Sequence, residues 1–121
     1  YKMIVTELVE GGELADFIAQ KGRLDEVTAR AVFKQVVQAV KFLHTRNILH
    51  RDLKCENILV CSKELGVDST VKLIDFGVAK DVSDSHAQTC VGTADIMAPE
   101  LVCADLMVAP GGAELPSISP F

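Results

Sequence analysis

Three short runs in this chain carry residue types that do chemistry. They are His50-Arg51-Asp52-Leu53-Lys54-Cys55-Glu56-Asn57, then Asp75-Phe76-Gly77, then Ala98-Pro99-Glu100. Asp52 sits in a polar stretch, where its carboxylate can accept or orient a hydroxyl proton. Lys54, just beyond it, is a point charge able to reach a phosphate. Asn57 offers a neutral oxygen to Mg²⁺, and Asp75 a hard anionic oxygen to the same metal pair. Transfer of a phosphoryl group asks for this combination. It needs little covalent work from the protein, but it needs an oriented hydroxyl, metal across the phosphates and positive charge where negative charge gathers. Either aspartate alone would read as an ordinary turn carboxylate; the joint order and spacing set them apart.

The elements that must hold these residues follow from the hydrophobic pattern. Residues 3–8 read as a strand running into the corner Glu10-Gly11-Gly12. Residues 13–20 suggest a short helix stopped by Gly22. A long helix follows, with Asp25 as N-cap and an end near Arg46-Asn47, where basic side chains suit the C-terminal dipole. Ala29, Phe33, Val36, Val40 and Leu43 recur at helical steps; Val32, Val37 and Phe42 widen the stripe and predict packing on more than one side. Ile48 and Leu49 lead into the polar loop 50–57. Ile58-Leu59-Val60 and Val71-Lys72-Leu73-Ile74 read as two short strands, and the polar stretch 62–70 between them predicts a hairpin. Residues 78–97 read as a long exposed loop, and 104–121 as a poorly ordered tail with no convincing period.

The three runs are signature motifs of protein kinases, here in the right order. On them the chain resembles the eukaryotic protein kinase family, serine/threonine type, over residues 1–103. Lys54 after the H-R-D-L run, and Thr93 in Gly92-Thr93, match the serine/threonine pattern. The run E-G-G-E-L and the extended 62–70 stretch are closest to the calmodulin-dependent and checkpoint-kinase group. The resemblance implies an α+β partial kinase fold, mainly the helical large lobe with a short β-hairpin, from the hinge to the activation segment. It implies ATP and Mg²⁺ as cofactors and a protein with a Ser or Thr acceptor as substrate.

Residue by residue, it implies that Asp52, Lys54 and Asn57 are catalytic and that Asn57 and Asp75 hold metal. Thr6 becomes the gatekeeper, while the Glu7 carbonyl and Val9 amide meet the adenine edge. Glu13 meets ribose or a basic substrate residue, Glu56 belongs with the nucleotide-binding set, and Leu59 forms the floor under adenine. Arg51 pairs with a phosphate on the activation loop, first at Thr89, with Ser83 and Ser85 as other candidates, placed there by an upstream kinase. Thr93 packs against Asp52 and Lys54, and His50 packs on Phe76. The sequence departs from the family pattern in two places, Ile96 for a frequent aromatic and Cys55 for a frequent Pro. It contains no G-x-G-x-x-G loop and no V-A-I-K lysine. The chain opens on Tyr1 within an apolar run, and reads as cut from something longer.

Composition bounds the other classes. At 121 residues and 49% hydrophobic the chain is globular, and with 5% aromatic and no Trp its core must be aliphatic. A net charge of −5, from 12 basic and 17 acidic residues, argues against general nucleic-acid binding. No apolar run reaches the roughly 18 residues of a membrane helix. The 4 cysteines, with no C-x-x-C pair, read as reduced thiols of a cytoplasmic or nuclear protein, with a redox role for Cys55 as the minor alternative. A pseudokinase-like or truncated regulatory or docking module is the alternative class; pseudokinases usually lose one of Asp52, Lys54, Asn57 or Asp75, and none is lost.

Overall fold

The computed structural model describes Tyr1, residues 3–82 and residues 91–99. Chain order is β1 (Gly12–Glu13), α1 (Leu14–Lys21), α2 (Glu26–His44), β2 (Ile48–Leu49), β3 (Ile58–Val60), β4 (Val71–Leu73) and β5 (Lys80–Asp81), with single 3-10 turns at Cys55–Asn57 and Ala94–Ile96. Two small antiparallel sheets result, β1-β3-β4 and β2-β5, beside two helices. This is the expected α+β class.

Local signals account for both helices. Gly22 closes α1 with φ 75°, donating its N–H to the Ile18 carbonyl at 2.8 Å. The Asp25 carboxylate caps α2 by accepting from the Thr28 N–H at 2.9 Å. That bond satisfies a helix-end donor and holds the Asp25 carboxyl below the usual range. Gln35 then fastens α2 to the hairpin. Its amide donates to the Ser69 carbonyl at 2.8 Å and accepts from the Val71 N–H at 3.1 Å.

The core lies between the helices and the three-stranded sheet. Leu14, Phe17, Val32, Ile58, Val60 and Leu65 form it, and Val60 is fully buried. Gly11 allows β1 to reach β3, because a Cβ there would strike the Val60 and Ser62 carbonyls. Leu65 drops back into the core from inside the polar 62–70 stretch, where no period marks it.

Four expectations change. Residues 3–8 form no strand: they find no ladder partner among the described residues, and Met3, Ile4, Val5 and Leu8 are exposed. The long helix buries one face only. Val32 and Leu43 are inside, but Phe33 is 69% exposed, and Val37 and Phe42 also face solvent, because no described element covers them. The 78–97 stretch is not simply a loop. Lys80–Asp81 pairs with Ile48–Leu49, so the residues ahead of the polar loop are a strand, and Ala94–Ile96 make a 3-10 turn. The short helix is Leu14–Lys21, one residue later than expected. The 104–121 stretch and Thr89, Ser83, Ser85 and Glu100 lie outside the described residues.

Candidate active site

Strand β2 delivers the chain into residues 50–57, and β3 takes it away. Strand β4 ends beside them, because the Ile74 N–H donates to the Asn57 carbonyl at 2.9 Å. The loop that starts at Asp75 therefore leaves next to the 50–57 loop. A third segment of chain approaches this loop at Gly92-Thr93. Gly92 has φ 127°, and a Cβ on it would lie 2.5 Å from the Arg51 carbonyl, so only glycine allows this approach.

Thr93 then closes on Asp52 (8% exposed). Asp52 Oδ1 accepts from the Thr93 amide at 3.0 Å and from the Thr93 hydroxyl at 2.6 Å. Oδ2 faces the Lys54 ammonium at 3.1 Å and accepts from Asn57 Nδ2 at 3.0 Å. The circle is completed by Lys54 Nζ, which donates to Thr93 Oγ1 at 2.8 Å. First the Thr93 hydrogen bonds and then Lys54 hold the Asp52 carboxyl down at about 2. All four acceptor positions of the carboxylate are thus engaged, while Lys54 has used two of its three donors.

Asn57 is buried, and its orientation is determined. Nδ2 donates to both the carbonyl, at 2.8 Å, and the carboxylate of Asp52. Its Oδ1 is left as an uncommitted acceptor that still reaches solvent, since no buried side-chain atom among the described residues lacks a partner. Asp75 is exposed, with φ 60°, and its Oδ1 accepts from the Gly77 N–H at 3.1 Å. A neutral oxygen and a carboxylate at adjoining loops suit Mg²⁺, which takes one or two protein ligands and completes its shell with phosphate and water. No cluster of three or more His, Cys, Asp or Glu occurs among the described residues, so nothing here resembles an all-protein metal cage.

The supporting residues sit underneath. With Nε2 assigned the proton, His50 donates to the Ile74 carbonyl at 2.9 Å, and Nδ1 accepts from the Asp52 N–H at 3.4 Å. Its ring meets Phe76 edge-on at 5.0 Å. Arg51 has φ 68°, a conformation costly to a non-glycine residue, and its Nε donates to the Val78 carbonyl at 2.6 Å.

The residues expected to meet the nucleotide are spread across the three-stranded sheet, from β1 at one edge through the central β3 to the Glu7 contact with β4 at the other. Glu13 on β1 pairs in register with Leu59 on β3. Glu56 is exposed in the 3-10 turn, Val9 is half-buried, and Thr6 and Glu7 are exposed. Glu7 is paired with Lys72 on β4, a partner that nothing in the sequence pattern announced, because the two are far apart in the chain.

Residues 1–110 match the protein kinase domain family. "Probable serine/threonine-protein kinase fhkD" of Dictyostelium discoideum is 45% identical over 116 residues, covering 95% of this chain and 15% of that protein. Human death-associated protein kinase 2 is 44% identical over 101 residues, 83% of this chain and 27% of that protein. Rice serine/threonine protein kinase OSK3 is 40% identical over 108 residues, 88% of this chain and 20% of that protein. The chain belongs to the protein kinase family. It spans about a quarter or less of the length of these curated relatives.

Proposed function

We propose that this chain is the phosphoryl-transfer segment of a serine/threonine protein kinase, from the hinge through the catalytic loop to the activation segment of the large lobe. In that reading it moves the γ-phosphate of ATP to Ser or Thr hydroxyls of a protein. The closed circle of Asp52, Thr93, Lys54 and Asn57 carries the reading. It fixes an ionised carboxylate, a cation with a spare donor and an amide oxygen in one place.

Each residue then has a defined task. Asp52 orients the acceptor hydroxyl. A carboxylate held at about 2 is a weak base, so it takes the proton only after bond formation has made the hydroxyl acidic. Lys54 directs its spare N–H at the transferring phosphate. Swinging off Oδ2, its longer contact at 3.1 Å, would free an acceptor site for the incoming hydroxyl. Asn57 and Asp75 would hold Mg²⁺, which supplies charge neutralisation across the phosphates. The Glu7 carbonyl and Val9 amide would meet adenine over Leu59, with Glu13 and Glu56 offering carboxylates to ribose or to a basic substrate side chain. Arg51 would receive a phosphate placed on the activation loop, first at Thr89, by another kinase. The free thiols of Cys55 and Cys61 suit a reducing, cytoplasmic or nuclear, setting.

The test uses the full-length protein that contains this chain, with Mg-ATP and a protein acceptor. Phosphate incorporation that Asp52→Asn abolishes supports the reading; equal background labelling by both proteins refutes it. Purified 1–121 alone is expected to show negligible turnover, because its sequence has no G-x-G-x-x-G loop to cover the phosphates. Robust turnover by it would overturn that part.

A further inference from the structure

Residues 3–9 pair with no strand among the described residues, and most of their side chains are exposed. Among the described residues, the Glu7 carboxylate makes the hydrogen bond and ion pair that tie this segment to the body, and its partner is the Lys72 ammonium. Lys72 lies on β4, in register with Leu59 on β3. Two residues beyond the end of this strand lies Asp75. Glu7 and Lys72 border a cleft of about 370 Å³ whose wall includes Phe42, Leu73 and Phe76. One cation therefore links the segment carrying Glu7 and Val9 to β4, the strand that leads into the Asp75 loop.

On the reading of the nucleotide site given above, we infer that Lys72 is a positioning residue for adenine recognition, acting through Glu7. Adenine recognition by backbone groups demands that the Glu7 carbonyl and Val9 amide point in fixed directions. Among the described residues this segment has no ladder to fix them, so a side-chain anchor at Glu7 supplies the restraint. Glu7 raises the Lys72 pKa, so the ammonium stays charged throughout the neutral range. The side chains are 36% and 65% exposed, and the pair is screened by solvent. A modest effect follows, about two- to fivefold in affinity, the range of exposed ion pairs.

The experiment uses the full-length protein and two competitors of ATP, adenosine and inorganic tripolyphosphate. In Lys72→Met, the inhibition constant of adenosine and the KM for ATP are expected to rise about two- to fivefold. That of tripolyphosphate, and kcat, are expected to stay as in the wild type. Lys72→Glu, which sets a like charge against Glu7, should weaken adenosine binding at least as much as Lys72→Met, and the exchanged pair Glu7→Lys with Lys72→Glu should recover it. Unchanged adenosine binding in both single variants overturns the inference, as does equal weakening of both competitors or failure of the exchange to recover binding. If wild-type protein binds neither competitor, the reading of the nucleotide site fails instead, and the two failures are distinguishable.

Discussion

The Thr93 hydroxyl donates to Asp52 Oδ1 at 2.6 Å while accepting from the Lys54 ammonium at 2.8 Å, so one small side chain from the returning segment joins the acid and the base of the 50–57 loop. A hydroxyl is the smallest group that does both jobs, because it carries a donor and two acceptor positions.

Thr93→Val keeps the shape and removes that donor. The Asp52 pKa is expected to rise from about 2 toward its ordinary value, since the Thr93 bond is the largest cause of its depression. In the full-length protein, kcat should fall about tenfold, ~1.4 kcal/mol of barrier, with little change in KM for ATP. Thr93→Ser should recover most of the rate. Steady-state kinetics checks both variants, and a wild-type kcat in Thr93→Val would rule the hydroxyl out.

The same depressed pKa sets an acid limit on stability. Asp52 is more acidic folded than unfolded, so its network stabilises the fold fully above the ordinary carboxylate range. That contribution is lost as pH falls from about 4 toward about 2. Lys54→Met removes the second cause of the depression. The variant should lose less stability than wild type across that window, as read by denaturant midpoints at stepped pH. Its kcat near neutrality should drop by about 10²-fold, the usual cost of removing one charge-stabilising donor.

Gly92→Ala tests the approach of the returning segment to the loop. The new Cβ would sit 2.5 Å from the Arg51 carbonyl at a backbone φ of 127°. A cost of about 1–3 kcal/mol is expected. The displacement should move Thr93 off Asp52, so activity should fall together with the unfolding midpoint. Gly66→Ala, where nothing lies within 4 Å of the added Cβ, is the control.

Much of this architecture is legible from sequence, and the illegible parts share a cause. Asp25 and Gly22 announce the helix ends because capping is local, and the hairpin of β3 and β4 shows because both strands are apolar with a polar stretch between. The two-residue strands Gly12–Glu13 and Lys80–Asp81 are too short to show alternation and exist only through distant partners. Residues 3–8 look like a strand because their side chains suit one, yet a strand also needs a neighbour. Phe33 looks like core because helical period says which residues share a face, not whether anything covers it. Asp52, Lys54, Asn57 and Asp75 stand out by type and spacing, whereas the Glu7–Lys72 pair needed the fold.

Leu65 is 5% exposed, yet it lies in a stretch that reads as polar connection. It packs into the cluster with Leu14, Phe17 and Val60, and the Lys21 ammonium donates to its carbonyl at 3.1 Å. Leu65→Ala should cost about 2–5 kcal/mol, as a buried leucine does, whereas Val67→Ala next door, at 50% exposure, should be near neutral. Chemical unfolding of the two variants checks this, and equal midpoints would place Leu65 outside the core.

Asn57→Asp is the most demanding variant, because it changes one atom of the site and reverses its electrostatics. In the wild type, Asn57 Nδ2 gives two hydrogen bonds to Asp52, at 2.8 and 3.0 Å, and leaves Oδ1 uncommitted. An aspartate would replace both donors with acceptors and set a second negative charge against Asp52 Oδ2. Two carboxylates that close cannot both ionise freely, so one is expected to bind its proton well above the ordinary range. At neutral pH kcat should fall about 10²-fold, because the orienting bonds to Asp52 are lost. The acid limb of the rate profile should move up into the measurable range, while extra Mg²⁺ should recover part of the rate by screening the pair. Asn57→Ala removes the donors without adding charge, so it should lose rate with no shift of the acid limb. Equal pH profiles for the two variants would show that Asn57 acts on Asp52 through its shape alone.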